Sequence, residues 1–430
     1  MYKVGVIGTG YVGLVTAACL ADMGNEVICV DNDRRKLENL KKGIIPIYEP
    51  GLEELIIKNR KAGRITFTHS IKEATRESEI VFICVGTPAH ADGGADLSAV
   101  EYVAQEIAKA INGYKVIVGK STVPVQTGER IQQTVAMLTR GKYEFDVVSN
   151  PEFLREGQAI SDTMHPDRIV IGVESKRAEE IMRKLYAPIK APLVVTNIPT
   201  AEIIKHACNS FLSTKISFIN AVANICERVG ADVKQVAHAM GLDKRIGASF
   251  LDAGAGFGGY CFPKDLDAFL HIAQKKGYDF ELLKAVRDIN KEQKKLVFKK
   301  VEDALWNIKD KTIAVLGLSF KPNTDDIRNS ISFEIIGMLQ QSGAKIRAYD
   351  PHAMTKAAQE LKSVKFCRDA YDAAKGADCL LIITEWEEFR RLDPVKLKEV
   401  MRSQFIIDGR NIFDPAIMKK AGFVYKSVGR

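Results

Sequence analysis

No stretch of this chain is apolar for long enough to cross a membrane, and its start, MYKVGVIG, lacks the basic, apolar and cleavage regions of a secretory leader. Its eight cysteines (Cys19, Cys29, Cys84, Cys208, Cys226, Cys261, Cys367 and Cys379) form no CxxC pair and no metal-ligand spacing. That excludes a disulfide framework and a zinc site, and it predicts reduced thiols, a cytoplasmic location and no metal. There is no long basic tail and no basic patch interleaved with aromatics. The net charge of +8 at pH 7 therefore predicts a mildly basic globular protein with no nucleic-acid or membrane partner. What is present is 46% hydrophobic and 27% charged residues over 430 positions, too long for one core, so two or three domains are expected.

The first half reads as a dinucleotide fold. A β-rich run, Lys3–Ile7, leads into Gly8-Thr9-Gly10-Tyr11-Val12-Gly13 and an apolar helix, Leu14–Met23. In this strand–turn–helix context Gly8 makes the turn, Gly10 admits a pyrophosphate and Gly13 lets helix and strand pack. The helix N-terminus then faces the phosphates. The next strand, Val27–Val30, ends at Asp31, placed to accept the hydroxyls of an adenine ribose. Arg34, Arg35 and Lys36 follow and could hold the 2′-phosphate of NADP, but Asp31 would repel it, so NAD is favoured.

Further buried strands, Ile80–Val85, Lys115–Gly119 and Asp146–Ser149, run into Gly86-Thr87-Pro88, Lys120-Ser121-Thr122-Val123-Pro124 and Asn150-Pro151-Glu152-Phe153-Leu154-Arg155-Glu156. In a parallel sheet these clusters sit at the carboxyl ends, where doubly wound folds bind ligands. Turn and cap chemistry accounts well for Ser121. Glu152 and Glu156, four apart, are expected to share one face of a helical turn and to divide between water activation and cofactor contact.

Pro199-Thr200 opens a helical pattern running to Val229 before Gly230, with Thr200 as its expected N-cap. Its apolar positions (Ile204, Cys208, Phe211, Leu212, Ile219, Val222, Cys226) exceed one face, so burial by several neighbours is expected, as a domain link or a dimer core. Lys205 and Asn209 interrupt that pattern at i, i+4. They read either as a surface stripe or as groups that orient or deprotonate an alcohol and donate to an oxyanion. Residues 254–265, GAGFGGYCFPKD, are the stretch the rest is organised around. Gly254, Gly256, Gly258 and Gly259 would let a ligand lie against main-chain N–H groups, and Cys261 follows with Lys264 and Asp265 beside it. A buried inert cysteine is the alternative; an oxidising cofactor site elsewhere in the chain favours a nucleophile.

The βαβ grammar returns in the second half without a true GxGxxG. Strands Lys311–Leu316, Lys345–Tyr349, Cys379–Ile383 and Phe405–Ile407 surround a helix near 332–341 and end in FKPNTDD, Asp350-Pro351 and Asp408-Gly409-Arg410. The fold class expected is α/β, with two Rossmann-like doubly wound parallel-sheet domains joined by a long central helix and a small helical domain. The domains are 1–199, 200–300 and 301–430.

GTGYVG (8–13), GTP (86–88), KSTVP (120–124), NPEFLREG (150–157), HPDRIVIG (165–172), Lys205 with Asn209, GFGGYCFPKD (256–265), FKPNTDD (320–326) and DGR (408–410) resemble the UDP-glucose 6-dehydrogenase family over essentially the whole chain. The resemblance implies two successive NAD-dependent oxidations at C6 of UDP-glucose, giving UDP-glucuronate. In that scheme Lys205, Asn209 and Asp265 handle the alcohol proton and the oxyanion. Cys261 carries a thiohemiacetal and then a thioester, and water ordered by Glu152, Thr122 and Asp265 releases the product. By the same match Tyr11, Val12, Asp31, Lys36, Thr87, Thr122, Glu156, Lys264 and Arg328 would join the glycines in holding NAD. Glu152, Phe153, Leu154, Arg155, Lys205, Asn209, Phe250, Leu251, Asp252, Ala253, Gly254, Gly258, Phe320, Lys321 and Arg410 would line the UDP-sugar site. Arg245 would reach the substrate of a neighbouring subunit in a homodimer. Sister enzymes acting on GDP-mannose or UDP-N-acetylmannosamine share the architecture but differ in the cysteine loop. A two-electron β-hydroxyacid-type dehydrogenase would leave Cys261 without work, and a non-catalytic NAD-binding module would bind without turnover.

Overall fold

A computed structural model describes residues 1–90 and 93–430 and divides them into two compact units, Met1–Cys208 with Asp267–Tyr278, and Asn209–Leu266 with Asp279–Arg430. The first holds strands β1 (Lys3–Ile7), β2 (Glu26–Val30), β3 (Ile65–Thr68), β4 (Ile80–Ile83), β5 (Lys115–Gly119), β6 (Phe145–Ser149), β7 (Ile169–Gly172) and β8 (Leu193–Thr196). Their order is β3-β2-β1-β4-β5-β6-β7-β8, and every pair is parallel except β6–β7, which meet antiparallel at Ser149 and Gly172. Side chains alternate between two cores. Val4, Val6, Phe82, Val116 and Val118 pack on one face, and Ile7, Val81, Ile83 and Ile117 on the other. Burial of both faces is what βαβ crossovers impose on a parallel sheet.

The second unit repeats the plan with β9 (Thr312–Leu316), β10 (Lys345–Tyr349), β11 (Val364–Phe366), β12 (Cys379–Ile382), β13 (Phe405–Asp408) and β14 (Val424–Ser427), ordered β11-β10-β9-β12-β13-β14 and wholly parallel. Ile313, Val315, Cys379 and Leu381 face one core, and Ala314, Leu316, Leu380 and Ile382 the other. The α/β class with two doubly wound sheets is therefore the observed one. None of the described helices is long and apolar enough to cross a membrane.

The long helix runs Ile198–Val229, 32 residues or about 48 Å. It begins two residues earlier than the sequence suggests. Thr200 is not its cap: the Thr200 N–H donates to Asn197 Oδ1 at 2.9 Å, so Asn197 caps the helix and Pro199 lies in its first turn. Within one chain the burial of this helix is incomplete. Phe211, Phe218 and Ile225 are 65%, 52% and 59% exposed and stand seven residues apart, forming one apolar stripe. A second long helix, Glu281–Leu305, buries Leu283, Val286, Val297 and Val301.

Early in the long helix, Glu202 is buried, and its carboxylate accepts the N–H groups of Gln126 (2.7 Å) and Gly128 (2.8 Å), tying this helix to the start of the helix Thr127–Thr139. Burial pushes the Glu202 carboxyl up to about 7, although those N–H groups pull the other way. A folded value above the ordinary one means folding favours the protonated form. The stabilisation is complete below about pH 4.5 and is lost as pH rises through 7, by about 3 kcal/mol in all. Thermal melts between pH 5 and 8 should show that decline in the wild type and a flatter profile in Glu202→Gln. Equal slopes in the two proteins would refute this assignment.

Candidate active site

In the first unit the turn after β1 forms a cradle. A Cβ on Gly13 would fall 1.8 Å from the Gly8 carbonyl oxygen, so this position must be glycine for the helix Tyr11–Asp22 to start where it does. A Cβ on Gly10 would meet nothing within 4 Å, and no side chain caps this helix. Open space thus faces a helix N-terminus with unpaired N–H groups, which fits a dinucleotide pyrophosphate. Asp31, at the end of β2, accepts the Thr9 N–H (3.0 Å), the Thr9 hydroxyl (2.5 Å) and the Lys36 ammonium (2.9 Å). Burial pushes its carboxyl up, but the bonds from Lys36, Thr9 and Asp33 outweigh that and hold it at about 2, so it is anionic at neutral pH. Lys36 is therefore committed to Asp31, while Arg34 and Arg35 are exposed. Thr87 is buried and its hydroxyl donates to the Thr122 carbonyl at 2.8 Å, pinning the loop after β5 to that after β4.

Glu152 and Glu156 do not share a helical turn. Residues 151–155 are irregular, and the next helix starts at Ala159. Pro151 and the folding-back of the Glu152 carboxylate onto the Leu154 N–H (2.9 Å) keep the segment out of helix. Glu152 instead meets Lys205 at 2.8 Å with both side chains almost fully buried. The Phe153 ring lies under the Arg168 guanidinium (3.9 Å) and within 5.5 Å of the Lys205 ammonium. Arg155 points to solvent and pairs with Asp162. Glu156 is buried, beside the Gly157 N–H that Glu49 accepts at 2.6 Å.

The second unit holds the thiol. Cys261 is not within a loop but is the first residue of the helix Cys261–Lys275, with Pro263 in its opening turn, where a missing N–H costs nothing. A helix N-terminus favours the thiolate. One turn on, Asp265 is wholly buried. Its Oδ2 accepts the Asn209 amide at 2.6 Å and its Oδ1 the Lys264 ammonium at 2.7 Å. Lys264 and Arg328 also lie over the Tyr260 ring at 5.5 and 4.1 Å, and Arg328 chelates Asp326.

The glycines before Cys261 do approach something closely, but it is protein. A Cβ on Gly258 would fall 2.2 Å from the Asn329 carbonyl oxygen, and one on Gly259 would strike the Phe320 ring at 2.7 Å. The backbone here is also bonded internally. The Gly254 N–H donates to Asn220 (2.8 Å), Ala255 N–H to the Gly409 carbonyl (2.8 Å) and Phe257 N–H to Asn290 (2.8 Å). Gln293 and Arg410 donate to the carbonyls of Gly254 (2.9 Å) and Gly256 (3.0 Å). Those N–H groups are not available to a ligand, and Arg410, which also bonds the Ile383 carbonyl and faces Glu385, braces this segment. Leu251 and Ala253 are buried, Asp252 is exposed, and Phe250 adopts φ +65°, a left-handed conformation costly for a bulky residue. Lys321 is half-buried, and Arg245 is 89% exposed, held by Asp243. Asn220, Asn290 and Gln293 escaped the sequence reading. Their signal is an uncharged amide inside an apolar helical stripe, where it must have a partner.

Family models match the chain in three consecutive segments: the NAD binding domain of the UDP-glucose/GDP-mannose dehydrogenase family over residues 2–190, its central domain over 199–292 and its UDP binding domain over 314–415. The UDP-glucose 6-dehydrogenase TuaD of Bacillus subtilis is 52% identical, over 100% of this chain and 94% of its own. A UDP-glucose dehydrogenase from Pyrobaculum islandicum superposes with a TM-score of 0.94 at 38% identity, over 99% of this chain and 97% of that one. A UDP-D-ManNAc dehydrogenase from Pyrococcus horikoshii gives 0.89 at 28%, over 99% of each. With these likenesses, the NAD cradle and the Cys261 turn that leads to buried Asp265, the chain belongs to the UDP-glucose/GDP-mannose dehydrogenase family.

Proposed function

We propose that the protein oxidises UDP-glucose to UDP-glucuronate, with the balance RCH2OH + 2 NAD+ + H2O → RCOO− + 2 NADH + 3 H+. The observation that carries this reading is Cys261 on the first turn of a helix whose next turn holds a buried carboxylate, Asp265, fixed by Asn209 and Lys264. A two-electron dehydrogenase needs no such thiol. NAD+, held by the 8–13 turn and Asp31, supplies the hydride acceptor for each oxidation.

Lys205, in its neutral amine form beside Glu152, takes the proton of the C6 alcohol and becomes the ammonium that pairs with that carboxylate. Cys261 adds to the resulting aldehyde, forming a C–S bond while the carbonyl oxygen gains a proton, and Asn209 and Asp265 steady that oxygen. Loss of the second hydride leaves a thioester on Cys261. Water placed by Glu152 and Thr122 attacks its carbonyl and gives its proton to Glu152. The C–S bond breaks, releasing the thiol and the carboxylate. Thr87 and Lys36 act on the NAD side, Thr87 through the loop it pins and Lys36 through Asp31. Glu156, Lys264 and Arg328 complete that set. Phe153–Arg155, residues 250–258, Phe320, Lys321 and Arg410 serve the UDP-sugar, with Arg410 and Gly258 acting through the shape of the segment before Cys261. The 52% identity to a UDP-glucose 6-dehydrogenase, against 28% to the UDP-D-ManNAc enzyme, favours glucose as the sugar.

The same reading includes a homodimer. The exposed stripe Phe211, Phe218, Ile225 is an apolar seam at heptad spacing, as a pairing helix requires. Arg245, exposed and ion-paired among the described residues with Asp243, has the reach to serve a partner's substrate.

Following NADH at 340 nm with limiting UDP-glucose should give two NADH per sugar, and Cys261→Ser should stall at the aldehyde or at a very slow ester. One NADH per sugar, or full turnover by the variant, would sink the thioester route. Asp31→Asn should weaken NAD about tenfold and narrow the preference over NADP, since the anion that repels a 2′-phosphate is gone. Unchanged NAD and NADP affinities would dismiss that role. Phe218→Glu should convert a dimer to a monomer in light scattering. A wild type that is itself monomeric would remove the dimer from the proposal.

A further inference from the structure

Lys120 stands at the carboxyl end of β5 and is almost fully buried, yet among the described residues no carboxylate lies within 4 Å of its ammonium. Its Nζ donates to Asn150 Oδ1 at 3.0 Å and approaches the Asn150 carbonyl at 3.4 Å. The Tyr186 hydroxyl donates to the same Oδ1 at 2.6 Å, and Asn150 Nδ2 donates to the Val170 carbonyl at 2.8 Å. The Asn150 side chain thus makes three hydrogen bonds, which hold it in one orientation. Two residues later the same irregular segment presents Glu152 to Lys205.

The groups that bear electrostatically on Lys120 are Cys84 on the strand side, Cys19 on the helix Tyr11–Asp22, Glu152 and Lys205. Burial pushes both thiols up to about 12, and pushes up the Tyr186 phenol, so all three are uncharged at neutral pH. Among these groups that leaves Glu152 and Lys205 as the charged neighbours of Lys120, whose own ammonium burial pushes down from the ordinary lysine range.

We propose that Lys120 is a positioning residue for the Lys205–Glu152 pair: through Asn150 it fixes the segment that carries Glu152, and its charge attracts that carboxylate and repels the Lys205 ammonium. This rests on the reaction proposed above, in which Lys205 and Glu152 each accept a proton. In this role Lys120 acts through Asn150, Glu152 and Lys205 rather than on the substrate or NAD. Its effect is on how readily the two acceptors are vacant, not on binding.

The test is the pH profile of kcat for the full chain at saturating NAD+ and nucleotide sugar, in wild type, Lys120→Met, Lys120→Gln and Tyr186→Phe. Both neutral variants should lose about tenfold or more in kcat at neutral pH with KM within about twofold of wild type. Their acid limb should move to higher pH by about one unit, because a deprotonated acceptor has lost a neighbouring cation. Lys120→Gln keeps a donor for Asn150 and separates charge from anchoring. Tyr186→Phe, which keeps the charge, should leave the limb where it is in the wild type. A wild-type limb in both neutral variants, a change confined to KM, or failure of both to fold would overturn the proposal. The comparison is made with whichever nucleotide sugar the wild type oxidises, so an error over the sugar leaves this test intact. Oxidation of none of them overturns both readings.

Discussion

Two ion pairs, Lys205–Glu152 and Lys264–Asp265, sit almost wholly out of water, at 2.8 and 2.7 Å. Taking such charges from water costs several kcal/mol per ion, which close contact repays only when the remaining lone pairs are also satisfied. Here they are: the second oxygen of Glu152 accepts the Leu154 N–H, and that of Asp265 accepts the Asn209 amide. Apolar residues of similar volume would be as stable, so stability does not explain these pairs. The reaction proposed above gives them a use, since Lys205, Glu152 and Asp265 handle protons in it. Removing one partner would strand the other at roughly 3–5 kcal/mol, which binds the fold to its chemistry.

The same logic governs the segment before Cys261. A buried irregular backbone carries N–H and C=O groups that must find partners. Asn220 on the long helix, and Asn290 and Gln293 on the helix Glu281–Leu305, supply them from rigid elements. Asn290 bonds both the N–H and the carbonyl of Phe257, as a strand neighbour would. The glycines then allow the Asn329 carbonyl and the Phe320 ring to close over the segment from the other side. Cys261 thus follows a braced stretch, and its position is set by the scaffold rather than by the ligand.

How legible this was depends on whether the signal is local. Strands β1, β5 and β10 have the bounds the sequence suggests, because apolar runs cut off by Gly or Asp define them. The sequence does not mark β3, β7, β8, β11 and β14: β7 is only four residues long, and the other four stand at sheet edges, where polar residues such as Thr66, Lys365 and Lys426 dilute the pattern. The helix Glu281–Leu305 was missed because its buried stripe includes Asn290 and Gln293, which make it look solvated. The Cys261 helix was taken for a loop because glycines precede it and Pro263 falls inside it, although Leu266, Phe269, Leu270 and Ala273 carry the helical period. Most of the candidate site residues fall within motifs, but who pairs with whom is set by elements distant in sequence. Nothing local tells that Lys205 meets Glu152.

The two sheets also show why similar grammar serves two ligands. In both units a carboxylate at the end of the second strand, Asp31 or Asp350, accepts the N–H and hydroxyl of a residue just past the turning glycine, Thr9 one position after Gly8 or Ser319 two after Gly317. Beyond that they diverge. Asp31 keeps part of its surface exposed and pairs with the partly exposed Lys36. Asp350 is fully buried under Trp386, whose indole N–H donates to it at 3.1 Å, while the Leu318, His352 and Ala353 N–H groups use its remaining capacity. It has become structural. In place of the tight glycine turn, residues 320–330 intervene before the helix Ile331–Gln341. The second sheet has therefore lost both the ribose acceptor and the short turn that brings a helix N-terminus to a pyrophosphate. That loss, more than any residue gained, is why it should take a nucleotide in a manner of its own.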